Sequence, residues 1–182
     1  MDRQVLSHAG SASSRAPSKR GFTLVEMLIT LAIAGILLAI GVPAMTSFLA
    51  MRSSVANAEE LVEALRFARS EAIKRSSQVT VCSTTEPDAA DPSCGGTGDW
   101  ISGWVVKHTA SGRVLRVQNV VRAMKQINTS EDTVSFEATG IASSGATTFE
   151  FVPIGEEVDD RVRTVELSAQ GRVQLLKGRA PA

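Results

Sequence analysis

Lys19-Arg20-Gly21-Phe22-Thr23-Leu24-Val25-Glu26-Met27-Leu28-Ile29 is the stretch on which the reading of the whole chain turns. On its C-terminal side an apolar run continues to Ala50, and Glu26 is the only charged residue from Phe22 to Ala50. About 20 apolar residues are enough to span a bilayer as a helix. On its N-terminal side the chain is polar and holds Arg3, Arg15, Lys19 and Arg20 against Asp2. That positive flank predicts a cytoplasmic N-terminus, with everything after the span on the far side of the membrane.

Two simpler readings compete. The run has the look of a secretory signal cut after Val42-Pro43-Ala44, which would release a binding domain beginning at Met45. A plain anchor is the other. Glu26 suits neither, because an ionised carboxylate inside a membrane helix costs about 2.5–3.5 kcal/mol at mid-bilayer. Such a residue needs a partner.

The residues from Lys19 to Ile29 resemble the cleavage and methylation motif of type IV prepilins and type II secretion pseudopilins: a basic leader, Gly, an aromatic residue, Thr-Leu-Val-Glu, then a long apolar helix. The resemblance implies that a prepilin peptidase cuts between Gly21 and Phe22 and N-methylates Phe22. Glu26 then lies one helical turn from the new amine. In a filament core with little water, a neighbouring subunit's Phe22 ammonium would compensate that carboxylate and fix the register between subunits. The expected partners are the prepilin peptidase, other major and minor pilins or pseudopilins, and the inner membrane.

Outward from this stretch, Gly41 and Pro43 predict a kink or local melting where the helix leaves the membrane. Beyond them Val55, Ala58, Leu61, Val62, Leu65, Ala68, Ala72 and Ile73 recur at three- and four-residue steps, one apolar face of an amphipathic helix. Glu59, Glu60, Glu63, Arg66, Arg69, Lys74 and Arg75 fall on the other side, with Glu71 and Arg75 as an i,i+4 pair. After Ser76 the period changes to two. Strands are expected at 79–83, 100–107, 113–119, 134–138, 147–153, 163–168 and 172–176, separated by Gly, Ser, Asp and Pro clusters. The expected fold class is α+β and pilin-like: a long N-terminal transmembrane and amphipathic helix packed on an antiparallel β-sheet domain. The expected organisation is a cytoplasmic leader at 1–21, a membrane or filament-core helix at 22–50, an amphipathic helix at 51–76 and a periplasmic β-rich domain at 77–182.

A second resemblance lies inside that domain. Glu71-Ala72-Ile73-Lys74-Arg75, Val79-Thr80-Val81-Cys82, Cys94-Gly95-Gly96-Thr97-Gly98-Asp99-Trp100 and Gly103-Trp104-Val105-Val106 are similar to the FimT-type minor pilins and the H-type minor pseudopilin of type II secretion. Subunits of this kind resemble components of an initiating tip complex.

The composition is ordinary in bulk. The 182 residues hold 19 basic and 19 acidic side chains, which argues against a generic nucleic-acid coat or a polyanion sponge and leaves room for local patches. Hydrophobic residues make up 43 %, which excludes a wholly disordered chain. Tyrosine is absent and aromatic residues are 4 %, so an aromatic ligand cage is disfavoured. Cys82 and Cys94 are the only cysteines. In an oxidising periplasm a disulfide is the leading reading, with two buried thiols as the alternative. Two cysteines without an adjacent histidine do not make a metal ligand set, and no cofactor is expected. The glycines after Cys94 lack the Gly-Lys-Ser/Thr ending of a phosphate loop and read as a turn that positions Trp100 and Trp104, two residues expected on one strand face. No nucleophile elbow is present, and the acidic pairs Glu156-Glu157 and Asp159-Asp160 read as a solvated turn. The chain is not expected to be an enzyme.

The C-terminal segment departs from the average. Removing residues 1–21 leaves 15 basic against 18 acidic side chains, net −3, yet residues 161–182 carry Arg161, Arg163, Arg172, Lys177 and Arg179 against Glu166, a local +4. The ending from Gly171 to Arg179 resembles the segment where some FimT-type pilins carry Gly-Arg-x-Arg for DNA capture. Gln174 stands where the second arginine belongs. Binding of double-stranded DNA through Arg172, Lys177 and Arg179, as in a competence pilus, is therefore the rival reading. An edge strand whose charges prevent aggregation is the simpler one.

Overall fold

A computed structural model describes residues 21–95, 98–155 and 159–180. The leader up to Arg20, Gly96 and Thr97 of the glycine turn, and the Glu156-Glu157 pair lie outside the described residues.

One helix, α1 (Leu24–Arg75), opens the fold and runs for 52 residues. Thr23 caps its start: the Thr23 hydroxyl accepts from the Glu26 N–H at 3.2 Å, filling one of the orphan donors of the first turn. Its end is a Schellman motif. Ser77 N–H donates to the Ala72 carbonyl (3.1 Å) and Ser76 N–H to that of Ile73 (3.2 Å), with Ser76 in the left-handed region at φ 48°. The helix is unbroken through Pro43, so the local melting expected there does not occur. Proline removes only one intrahelical bond, and its fixed φ is itself helical. Two compact units divide the chain, one ending at Gly41 and the other beginning at Val42.

The second unit places eight strands after the helix: β1 (Val79–Ser83), β2 (Trp104–His108), β3 (Val114–Gln118), β4 (Met124–Asn128), β5 (Thr133–Phe136), β6 (Thr147–Pro153), β7 (Arg163–Leu167) and β8 (Val173–Lys177). They form two antiparallel sheets of four, ordered β3-β2-β1-β5 and β4-β6-β7-β8. Sequence periodicity located seven of these strands and missed β4. Met124-Lys125-Gln126-Ile127-Asn128 buries only Met124 and Ile127, and a register shift between Met124 and Gln126 breaks its alternation.

One core joins the helix to both sheets. Leu61, Leu65, Ala68 and Ala72 of α1 meet Val79, Val81, Val106 and Phe136 of the first sheet and Phe149, Phe151 and Val165 of the second. Each large apolar side chain so buried contributes about 1.5–3 kcal/mol relative to exposure. Trp100 sits at the junction, 6.3 Å from Trp104 and 4.8 Å edge-on to Phe149. It occupies the loop before β2 instead of a strand, because Gly98, Asp99, Ser102 and Gly103 form a turn there. The Asp99 carboxylate accepts from the Ile101 N–H and the Ser102 hydroxyl, and the Trp100 indole N–H donates to the Glu131 carbonyl at 3.1 Å. Both tryptophans are core, although they do not share a strand face.

Candidate assembly site and the basic C-terminal segment

The N-terminal end of α1 is open on every side. Gly21 has open space around it, Phe22 is 78 % exposed, and the apolar residues from Leu24 to Leu49 whose side chains are described are all exposed. The helix is long and apolar enough to cross a membrane. Phe22 and Glu26 are four residues apart, about 6 Å along a helix axis. The Thr23 cap closes the first turn of the helix directly after Phe22. Sequence reading overlooked Thr23, although the Thr-x-x-Glu spacing of a capping box was there to be seen.

Cys82 and Cys94 are joined in a disulfide. Cys82 is buried at the end of β1, Cys94 is exposed, and the enclosed loop is tied to the first sheet. Lys107 donates to the Pro92 carbonyl (3.0 Å) and pairs with Asp91 (3.5 Å), while Asn119 donates to Asp88 (3.1 Å). The pairing and these bonds together order a segment too polar to order itself.

Near the C-terminus the basic residues separate into two groups. Lys177 pairs with Asp160, and Arg179 pairs with Asp159 at 3.0 Å. The Lys177 ammonium, by hydrogen bond and by charge, holds the Asp160 carboxyl below the ordinary range. The acidic turn Asp159–Arg161 therefore neutralises part of the positive segment. Arg172 lies at the opposite end of β8, about 17 Å away at the usual rise per strand residue. There the Gln174 side-chain oxygen, with its amide turned to suit, accepts from Arg172 Nε (3.3 Å) and Nη2 (2.9 Å).

What the structure does bring together is Arg172 with Arg66 and Arg69 of α1. With Ser70, Ile73, Gly171 and Val173 they line an open groove of about 430 Å³. Arg69 is fixed there, donating through Nε to the Gly140 carbonyl (3.0 Å) and through Nη2 to that of Gln170 (3.1 Å). Gly171 permits the close approach: its φ is +78°, and a Cβ would lie 2.2 Å from the Gly140 oxygen. Sequence reading placed Arg66 and Arg69 on a solvated helix face, since nothing local signals partners 71 and 101 residues away.

A capped, fully exposed apolar helix continuing into a helix packed on antiparallel sheets defines a pilin-like subunit. The model of the type II transport protein GspH family matches residues 57–171, and that of the prokaryotic N-terminal methylation motif matches residues 17–42. The chain belongs to the GspH family of minor pilins and pseudopilins, which are structural and not enzymatic. Among solved structures it is similar to the type IV minor pilin FimU of Pseudomonas aeruginosa, at 25 % identity and a TM-score of 0.55, over 69 % of this chain and 89 % of that one. It shares its fold with the minor pseudopilin EpsH from the type 2 secretion system of Vibrio cholerae, at 13 % identity and a TM-score of 0.50, over 69 % and 97 % of the two chains. No curated protein sequence matches it. The methylation motif implies processing by a prepilin peptidase, and the family implies assembly with other pilins. The apolar helix carrying that motif is consistent with anchoring in the inner membrane before assembly.

Proposed function

We propose that this minor subunit joins the tip or initiation complex of a type II secretion pseudopilus or type IV pilus. In this reading residues 1–21 are a cytoplasmic leader, removed by cleavage between Gly21 and Phe22. Phe22 is then N-methylated. Residues 22–50 hold the chain in the inner membrane and later in the filament core, residues 51–76 pack on the domain, and residues 77–182 form the periplasmic part. The observation that carries the proposal is the exposed apolar helix with Glu26 in its capped first turn. An apolar surface of that length needs a bilayer or neighbouring helices, and its one carboxylate needs a cation. The Phe22 ammonium of an adjacent subunit supplies that cation and sets the axial stagger. Glu26→Ala should leave membrane insertion unchanged and abolish incorporation into filaments, scored by shearing and immunoblotting. Normal incorporation would overturn the register role.

The rival reading, DNA capture through Arg172, Lys177 and Arg179, draws support from Arg172 alone, which lies beside Arg66 and Arg69. Lys177 and Arg179 are already engaged by Asp160 and Asp159.

A further inference from the structure

We infer that the outer edge of β8, with the arginine groove beside it, is a strand-addition site for an extended acidic segment of a neighbouring subunit. This rests on the reading of the chain as an assembling subunit and names a surface through which it would assemble. The edge comes first. Ser168 N–H donates to the Arg172 carbonyl (2.9 Å) and Gly178 N–H to that of Val162 (3.0 Å), bracketing a register in which Glu166 faces Gln174 and Thr164 faces Leu176. In an antiparallel ladder the inward-bonded residues alternate, so Arg172, Gln174, Leu176 and Gly178 bond to β7. The N–H and C=O groups of Val173, Leu175 and Lys177 therefore point away from the sheet. Among the described residues no other element bonds to them.

The other three edges are less able to accept a strand. β3 pairs across a register shift at Val106/Lys107, and β4 carries one at Met124/Gln126. The outer side of β5 is covered by the turn that follows it, through Ser143 N–H to the Ser135 carbonyl and a bridge from Phe136 to Ala142. β8 keeps an unbroken register along its whole length. Bulges and covering loops are how proteins protect sheet edges, and β8 has neither.

The groove supplies the specificity. It runs between α1 and the start of β8, its walls carry Arg66, Arg69 and Arg172, and no carboxylate is among its lining residues. Ile73, half exposed, and Val173 give it an apolar side. A strand added to β8 would direct alternate side chains toward this wall, so main-chain bonds would supply affinity and acidic residues the selectivity.

The test is fluorescence anisotropy on the full chain in detergent micelles at low salt. The probe is a labelled peptide of about ten residues alternating valine and glutamate, long enough to pair along all of β8. A valine–lysine peptide is the control. The acidic peptide should bind and the basic one should not. Leu175→Pro removes an outward donor while leaving the ladder to β7 intact, and should weaken binding by about tenfold or more. Arg66→Glu with Arg172→Glu, both exposed, should do the same and admit the basic peptide. Absence of binding, or binding untouched by Leu175→Pro, would overturn the site. So would self-association of the chain that Leu175→Pro abolishes, which would assign the edge to a second copy. Duplex DNA that outcompetes the peptide and depends on the arginines alone would give the groove to nucleic acid. None of these readouts involves Glu26 or filament assembly, so a failure here leaves the proposed function standing.

Discussion

The two halves of α1 share one backbone and have opposite surroundings. From Leu24 to Leu49 every described side chain is exposed, and the surface is apolar almost all round. From Ser54 to Ala72 burial recurs at three- and four-residue steps, and the exposed positions, Ala56 apart, are charged or polar. Both halves belong to one α-helix, with a single backbone donor missing at Pro43, so helical hydrogen bonding does not decide where either half goes. What decides is the angular spread of apolar residues: a stripe buries itself against the chain's own sheets, and a full cylinder needs another apolar medium. The first half is built for partners outside the molecule, the second for partners within it.

The sharpest way to break this contrast is to truncate one leucine in each half. Leu65 is fully buried in the core, and Leu65→Ala should lower stability by about 2–5 kcal/mol, the range for leucine cavities. Leu31 is 65 % exposed, and Leu31→Ala should leave the domain's unfolding unchanged. Denaturant titration followed by tryptophan fluorescence reads both, because Trp100 and Trp104 lie in the core that Leu65 completes. Equal effects from the two substitutions would end the division into an outward and an inward half.

This contrast was legible in the sequence because each half announces itself locally. Uniform apolarity and the 3.6-residue period are properties of short windows, and both gave the helix within about two residues of its bounds, the usual uncertainty of helix ends. Ile73 is the instructive exception: it continues the apolar stripe yet is half exposed, at the mouth of the arginine groove. β4 was not legible, since its register shift destroys the alternation that would reveal it. The groove was not legible either. Arg69 reads as a surface charge until Gly140, Gln170 and Gly171 are brought beside it by the tertiary fold. At the other end of β8, Asp159 and Asp160 read as an idle acidic turn, and only the fold turns them into partners for Arg179 and Lys177.

A second test concerns the inward half's reliance on the domain around it. The disulfide joins residues separated by 12 positions, near the end of β1, a central strand of a sheet against which α1 packs. Closing a loop of that size restricts the unfolded chain by about 3 kcal/mol in the chain-entropy model. Cys82→Ser with Cys94→Ser should lower domain stability by about that amount, read by the same fluorescence titration. The membrane-inserted fraction, read by carbonate extraction, should not change. A double variant as stable as the parent would mean that Lys107 and Asn119 hold the loop without covalent help.

The smallest effect is expected at the C-terminal end of α1. Glu71 is largely buried yet bonded to Arg75 at 2.6 Å, with Lys74 at 3.5 Å. The Arg75 hydrogen bond, opposed by desolvation and aided by the charges of Arg75 and Lys74, holds the Glu71 carboxyl below its ordinary value. A carboxylate with a depressed folded-state pKa stabilises the fold above its unfolded pKa, about 4.3 for glutamate, and that stabilisation is lost as pH falls through the folded value. Acid should therefore weaken the domain progressively below pH of about 4.3, and Glu71→Gln should make the decline shallower. Asp160, held down by Lys177, acts in the same direction, so Asp160→Asn should flatten what remains. The measure is the denaturation midpoint across a pH series for the parent, each single variant and the double. An unchanged slope in the double variant would show that neither pair is coupled to folding. The acid sensitivity of the inward half would then have to come from carboxylates elsewhere in the domain.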